Sequence, residues 1–266
     1  MRDRSLSGDP NEEVVNSRQL AFYVGFVALL LAPLMGISTF FGVCFYDSIS
    51  HFYYARIMGD ILVGALFFIC GFLLTYKTET TFEWIIAKAA GLAAVGVAIF
   101  PTEDNGCEIA EQETAPGRAF SVLTNNLDTN GDREVVLSET PFSLFVDVET
   151  IHLISAVILL VVLVIFCLKI FTRISPSDLD ENDNVKPLKL RRNRFYRLLG
   201  VVMLAALGMI LLDKWKEFTW WEANNMMFWM ELVVLVAFGI SWMIKGRFDL
   251  IKETNTGRML NGFFVD

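Results

Sequence analysis

The chain carries apolar runs too long for a water-soluble fold to bury. A helix needs about 20 mostly apolar residues to cross the roughly 30 Å hydrocarbon core of a bilayer. Six segments reach or approach that length: 20–45, 52–76, 84–100, 151–172, 195–212 and 226–244. The runs are unbroken rather than amphipathic, which excludes an ordinary soluble domain. Lipid offers no hydrogen bonds, and no alternating pattern suggests a barrel, so each span is expected to be a helix. The expected fold class is all-α: an integral membrane bundle of six transmembrane helices. Pro33 and Gly36 predict a kink in the first.

Orientation follows from Lys and Arg in the short connections. Lys186, Lys189, Arg191, Arg192, Arg194 and Arg197 form a basic cluster that is expected in the cytoplasm. An even number of spans then places both termini there, in keeping with Arg2, Arg4, Arg18, Lys245, Arg247, Lys252 and Arg258. Residues 1–19 read as a polar N-terminal segment with no cleavage site after it, 173–194 as a cytoplasmic acidic and basic linker, and 245–266 as a cytoplasmic tail. The expected location is the cell membrane, inner or plasma, in multi-pass form. Lys214 and Lys216 fall on the outer side against this rule, partly offset by Glu217 and Glu222.

The net charge of -8 argues against a nucleic-acid partner. It is also unevenly placed. Residues 101–150 hold eleven acidic residues against Arg118 and Arg133, so the rest of the chain is close to neutral. This long acidic loop is expected outside the cytoplasm. Membrane lipids are the expected partners. A protein partner would meet either the acidic loop or the basic linker, and the linker also reads as a plain topology signal with lipid-headgroup contact.

Small residues allow membrane helices to approach closely. Ala87, Ala89, Ala90, Gly91, Ala93, Ala94, Gly96 and Ala98 predict a tightly packed third helix, and Gly59, Gly64 and Gly71 predict a close neighbour for the second. Tyr46, Tyr53, Tyr54, Trp220, Trp221 and Trp229 read as an aromatic belt at the outer interface.

Ionisable residues gather at the outer ends of the spans. The run from Asp47 through Ser48, His51 and Tyr54 to Arg56 opens the second span, with Asp60 one turn further on. Glu149 and His152 open the fourth, three residues apart, and Glu231 lies just inside the sixth. An ionisable residue in a span is costly and is usually paired or functional. Three readings stay open. Arg56 pairs with Asp60 or Glu231 and the histidines bond at the headgroup level. Alternatively, these residues line an outward-facing polar pocket for a lipid headgroup or small polar ligand. In the third reading they form a metal or catalytic site. No Ser-His-Asp order, HExxH or phosphate loop is present.

The stretch Ser48-Ile49-Ser50-His51-Phe52-Tyr53-Tyr54, then Gly59-Asp60 and Val63-Gly64, resembles a motif of uncharacterised bacterial multi-pass membrane proteins. Phe100-Pro101-Thr102, His152-Leu153 and the closing run from Phe238 to Gly246 are similar too. That family has no established activity, so the resemblance implies architecture alone. Ser48, His51 and Asp60 more loosely resemble the early part of the alkaline ceramidase and adiponectin-receptor superfamily of intramembrane zinc hydrolases. The late His-x-x-x-His of those enzymes has no counterpart, because no His follows His152. Zinc is therefore not the expected cofactor.

Residues 128–139 resemble an EF-hand calcium loop. Asp128, Asn130 and Asp132 fill positions 1, 3 and 5, Glu134 supplies a backbone carbonyl at 7, and Glu139 the carboxylate at 12. Arg133 stands where the loop needs Gly. Both a calcium site and a plain acidic turn fit this segment. Cys44 and Cys107 both fall outside, where a disulfide is permitted, whereas Cys70 and Cys167 lie within spans. Together these readings point to a non-enzymatic membrane protein with an outward polar pocket, or a subunit of a larger assembly. A metal-dependent intramembrane hydrolase acting on lipid is the alternative, and a small-solute transporter the third.

Overall fold

The computed structural model describes residues 17–76, 78–102, 122–127, 133–137, 148–216, 218–246, 252–253 and 259–260. Within them, six helices are long and apolar enough to cross a membrane. They are α1 (Ser17–Ser38), α2 (Arg56–Thr75), α3 (Thr81–Ile99), α4 (Val148–Ile165), α5 (Pro187–Lys216) and α7 (Met226–Lys245), with the short α6 (Thr219–Ala223) before the last. The membrane portion is all-α, as expected. The described parts of the long loop and tail add two antiparallel pairs: β1 (Val122–Leu127) with β2 (Arg133–Leu137), and β3 (Lys252–Glu253) with β4 (Met259–Leu260).

Helix packing closes a ring. α1 packs on α2, α2 on α3, α3 on α4, α4 on α5, α5 on α7, and α7 back on α1. Successive spans run in opposite directions, so the first residues of α1 and the last of α7 share one end. Lys189, Arg192 and Lys245 lie there too, and it is called the basic end below. At the other, the loop end, lie residues 42–55, the close of α3 and the starts of α4 and α7. Large apolar side chains stay exposed around the ring, among them Phe40, Leu92, Leu198 and Leu211. In water such a surface would be unusual; in a bilayer it meets acyl chains.

The tightest contact is between α1 and α7. A Cβ on Gly25 would stand 2.6 Å from the Gly239 carbonyl oxygen, and one on Gly239 would stand 2.7 Å from the Leu29 amide nitrogen. Backbone meets backbone, so only the missing side chains allow the crossing. This corrects the expectation for the second span. Gly64 and Gly71 have no atom within 4 Å of an added Cβ. They face outward, and the close approach belongs to other glycines. In α3 the small residues do serve packing: Gly91 lies against Leu74 of α2, and Gly96 against Ser155 of α4.

Other boundaries depart from the apolar runs. α1 continues through Pro33 and is followed by a 3-10 turn that ends at Gly42, whose φ of +88° suits glycine. α2 starts only at Arg56, because Ser50–Tyr54 forms a 3-10 turn. α5 begins at Pro187, eight residues before the apolar run, so the basic cluster sits on helix rather than in a linker. Proline favours the first helical turn, and the Leu, Lys and Arg that follow are good helix formers. α4 ends in a π turn, Phe166–Ile170, with the Phe171 amide reaching the Phe166 carbonyl at 2.8 Å.

Of the residues expected in an aromatic belt, Trp220 and Trp229 are exposed, whereas Tyr46, Tyr53 and Trp221 are buried and so belong to the core instead. Tyr46 packs its ring on Phe52, which in turn meets Phe228 of α7. These rings belong to the core because the segment carrying two of them, 43–54, folds back onto α7.

The residues Asp128, Asn130, Asp132 and Glu139 of the calcium expectation lie outside the described residues. Glu134 lies in β2, paired with Asn126, so strand flanks the segment where an EF-hand has helix.

Replacing Gly239 by Leu is expected to destabilise the folded chain by about 3 kcal/mol or more, since backbone cannot yield as a side chain does. Gly64→Ala, on the open face, should leave thermal unfolding in detergent within about 0.5 kcal/mol of wild type. Equal losses in the two variants would refute the crossing.

Candidate functional site at the loop end

A polar network joins four parts of the chain at the loop end. Its centre is Ser48, which is buried, and Glu231, which is half-buried one turn into α7. The Ser48 hydroxyl donates to Glu231 Oε2 at 2.9 Å, and the Ile49 amide donates to the same oxygen at 2.6 Å. The Ser50 amide donates back to Ser48 Oγ at 3.1 Å. One side-chain oxygen of α7 thus fixes the loop that leads into α2.

The network continues through His152 of α4, which is buried. Its Nδ1 lies 2.6 Å from the Phe100 carbonyl oxygen at the end of α3. A carbonyl only accepts, so Nδ1 carries the proton, and Nε2 is free to accept from Ser50 Oγ at 3.2 Å. His51 bonds Asp47 four residues back along the chain. The Asp47 carbonyl accepts the Phe228 amide at 2.7 Å. That amide belongs to the first turn of α7, which has no helical partner for it. Tyr54 donates to the Thr102 carbonyl at 2.6 Å, tying the same segment to the end of α3.

The structure therefore brings together Ser48, His51, His152 and Glu231 at one end, with Tyr54 beside them. It does not bring in Glu149, which is exposed in the first turn of α4. Asp60 is exposed on α2, four residues from Arg56, whose side chain lies outside the described residues. Ser50, Asp47 and the Phe100 carbonyl join the site although the sequence did not single them out as ligand-pocket residues. The signal for Ser50 was its place in the Ser48–His51 run; no signal exists for a carbonyl 52 residues from its histidine. Among the described residues no three of His, Cys, Asp and Glu stand together as metal ligands.

Cys44, at the start of this loop segment, is disulfide-bonded, whereas Cys70 and Cys167 are free and buried. Cys107, the remaining cysteine, lies outside the described residues.

The basic end is built differently. Arg173 bonds Glu83 at 2.6 Å and Glu79 at 3.2 Å, joining the segment after α4 to the start of α3. Lys189 reaches the Phe171 carbonyl at 3.3 Å and Asp178 at 3.4 Å. Burial alone would raise the Asp178 carboxyl; the Ser175 amide and hydroxyl and the Lys189 charge outweigh it and hold that carboxyl below the usual range. Burial, with Glu83 and Glu79 nearby, pushes the Tyr76 phenol up to about 12.

Glu231→Leu would leave the Ser48 hydroxyl and Ile49 amide without an acceptor, and should cost about 1–3 kcal/mol of stability. Glu231→Gln keeps a carbonyl oxygen in place and should cost well under half of that, as read from thermal unfolding of the purified chain. A Gln variant as unstable as the Leu variant would show that the amide cannot take over the two bonds.

No family model, curated protein or solved structure matches this chain.

Proposed function

We propose that the chain is a multi-pass protein of the cell membrane, with both termini in the cytoplasm and the loop end facing outward. The basic residues on the first turns of α5 support this orientation, and so does the disulfide at Cys44, which suits an oxidising compartment. At the outer end the protein holds a lipid headgroup by its cationic group.

The observation that carries this reading is the state of Glu231. Its Oε2 is anchored by two donors, and its Oε1 takes none from the described residues and is not among the buried orphaned atoms. A carboxyl fixed through one oxygen, whose second oxygen takes no donor from the described residues, suits an ammonium group. Asp47, Asp60, Glu149, Asp213 and Glu222 also lie at this end, against Arg56, Lys214 and Lys216. Trp229, exposed two residues before Glu231, and Trp220, exposed on α6, offer aromatic rings at this end. Aromatic faces favour quaternary ammonium groups.

Short-chain phosphatidylcholine added to the detergent-purified chain should raise its melting temperature by about 3 °C, equivalent to roughly 1 kcal/mol. In Glu231→Gln that rise should vanish while the basal melting temperature stays near wild type. A full response in the variant would overturn the reading.

A serine-dependent lipid hydrolase, in place of the metal-dependent one expected from the sequence, is a second reading on one specific observation. His152 faces the Ser50 hydroxyl through Nε2 and is oriented by a carbonyl through Nδ1, the arrangement that activates a serine nucleophile. Under the binding reading a fluorophosphonate probe leaves the chain unlabelled. Labelling that disappears in Ser50→Ala would instead establish the hydrolase.

A further inference from the structure

Three buried side-chain polar atoms of the described residues have no hydrogen-bond partner, and all three lie at the basic end. They are Arg192 Nε, Asn193 Oδ1 and Trp242 Nε1. A buried orphan costs the desolvation of its group and calls for an explanation. Trp242 meets the Phe171 ring, Asn193 bonds the adjoining Thr172 carbonyl, and Arg192 precedes Asn193 on α5. The Phe171 ring meets Trp242 at 4.9 Å between centroids and carries the Lys245 ammonium at 5.6 Å. Its carbonyl accepts from Lys189. Lys189, Arg192, Asn193 and Tyr196 share one face of α5, and Trp242 and Lys245 are one turn apart on α7. Tyr196 packs on the same Phe171 ring.

The charges of this layer do not balance. Arg173 is held by Glu79 and Glu83, and Lys189 by Asp178. Arg192 and Lys245 contact no carboxylate among the described residues. Lys189 acts electrostatically on Lys245 ahead of the opposing Glu79 and Asp178, with Arg192 contributing least. Two half-buried cations without a contacting counter-ion are costly at a membrane boundary. Among the described residues this layer has no carboxylate in contact with either of them.

We propose that this layer is a binding site for a phosphate-bearing anion, with the half-buried Arg192 and Lys245 as its cationic donors. Guanidinium is suited to phosphate because it can give two parallel hydrogen bonds, while an ammonium adds a point charge. Asn193 donates its Nδ2 to the Thr172 carbonyl at 2.9 Å, so its orphaned oxygen is left as an acceptor. An acceptor next to the Arg192 donor on α5 suits a phosphate ester with a hydroxyl beyond it, as in a phosphatidylglycerol headgroup. Free phosphate shares the anionic part of that chemistry. This site lies on the opposite end from Glu231 and stands without the outer one.

The full chain in phosphatidylcholine nanodiscs, with and without phosphatidylglycerol, tests the proposal, alongside detergent-solubilised chain with inorganic phosphate. Phosphatidylglycerol should raise the wild-type melting temperature, and Arg192→Gln and Lys245→Gln should each weaken its binding about tenfold. Arg194→Gln removes an exposed cation of the same helix and should bind as wild type. A response to phosphatidylglycerol alone identifies a lipid site; an equal response to inorganic phosphate identifies a soluble phosphate. No response to either anion, or equal losses in Arg192→Gln and Arg194→Gln, would overturn the site in favour of diffuse surface charge. In pure phosphatidylcholine, Arg192→Gln and Lys245→Gln should melt at or above wild type, since each removes an uncompensated charge. Variants that lose their fold there would show that both cations already have structural partners.

Discussion

Gly25 and Gly239 let α1 and α7 cross with their backbones touching. Lipid gives helices no hydrophobic reason to associate, so a contact of this kind has to come from close packing. Its consequences run to both ends of α7. Towards the loop end, α7 presents its first-turn Phe228 amide, which donates to the Asp47 carbonyl, and Glu231 to the segment that leaves α1. Towards the basic end it places Trp242 among Phe72, Tyr76, Phe166 and Phe171. A helix held a side chain's width further out would reach neither set of partners. The ring of six helices is closed by the crossing that joins the last span to the first.

Closure also explains why so much polarity survives within hydrocarbon reach. Residues 43–54 lack regular hydrogen-bonded structure except for one 3-10 turn. Such backbone is tolerated at a membrane only where other groups satisfy it. Glu231 supplies an acceptor for the Ile49 amide, Asp47 lends its carbonyl to α7, and Tyr54 bonds the end of α3. Tyr46, Phe52 and Tyr53 bury their rings beneath it. The segment is a folded plug between α1 and α2, and its hydrogen bonds are shared with three other elements.

The number and approximate position of the spans were legible because length and hydropathy are local properties of the chain. Helix faces were not. Gly64 and Gly71 carry the same spacing signal as any packing glycine, yet they point to open space, whereas Gly25 and Gly239 sit in runs that give no hint of their partners. The choice depends on which face each neighbour occupies, and that is set by the whole ring. The aromatic belt failed for the same reason, since Tyr46, Tyr53 and Trp221 are at interfacial positions in sequence but covered in three dimensions. The gathering of Ser48, His51, His152 and Glu231 at one end was legible from span polarity. The pairing was not, because Ser48 to Glu231 and His152 to the Phe100 carbonyl are contacts 183 and 52 residues apart, one of them to a backbone atom.

The two ends differ in how their polar groups are satisfied. At the loop end the buried Ser48 and His152 side chains have partners, and Glu231 is anchored on one oxygen. At the basic end two donors and an acceptor are buried without partners, and two cations lack a contacting carboxylate. The same backbone could have met this shortage with another Asp or Glu on α5, as Asp178 does for Lys189. The chain instead places Arg192 and Lys245 together. An anion bridging α5 and α7 would offset both charges at once. An anion held there would therefore tighten the ring on the side opposite the Gly25–Gly239 crossing, coupling occupancy of the basic end to the packing of α7.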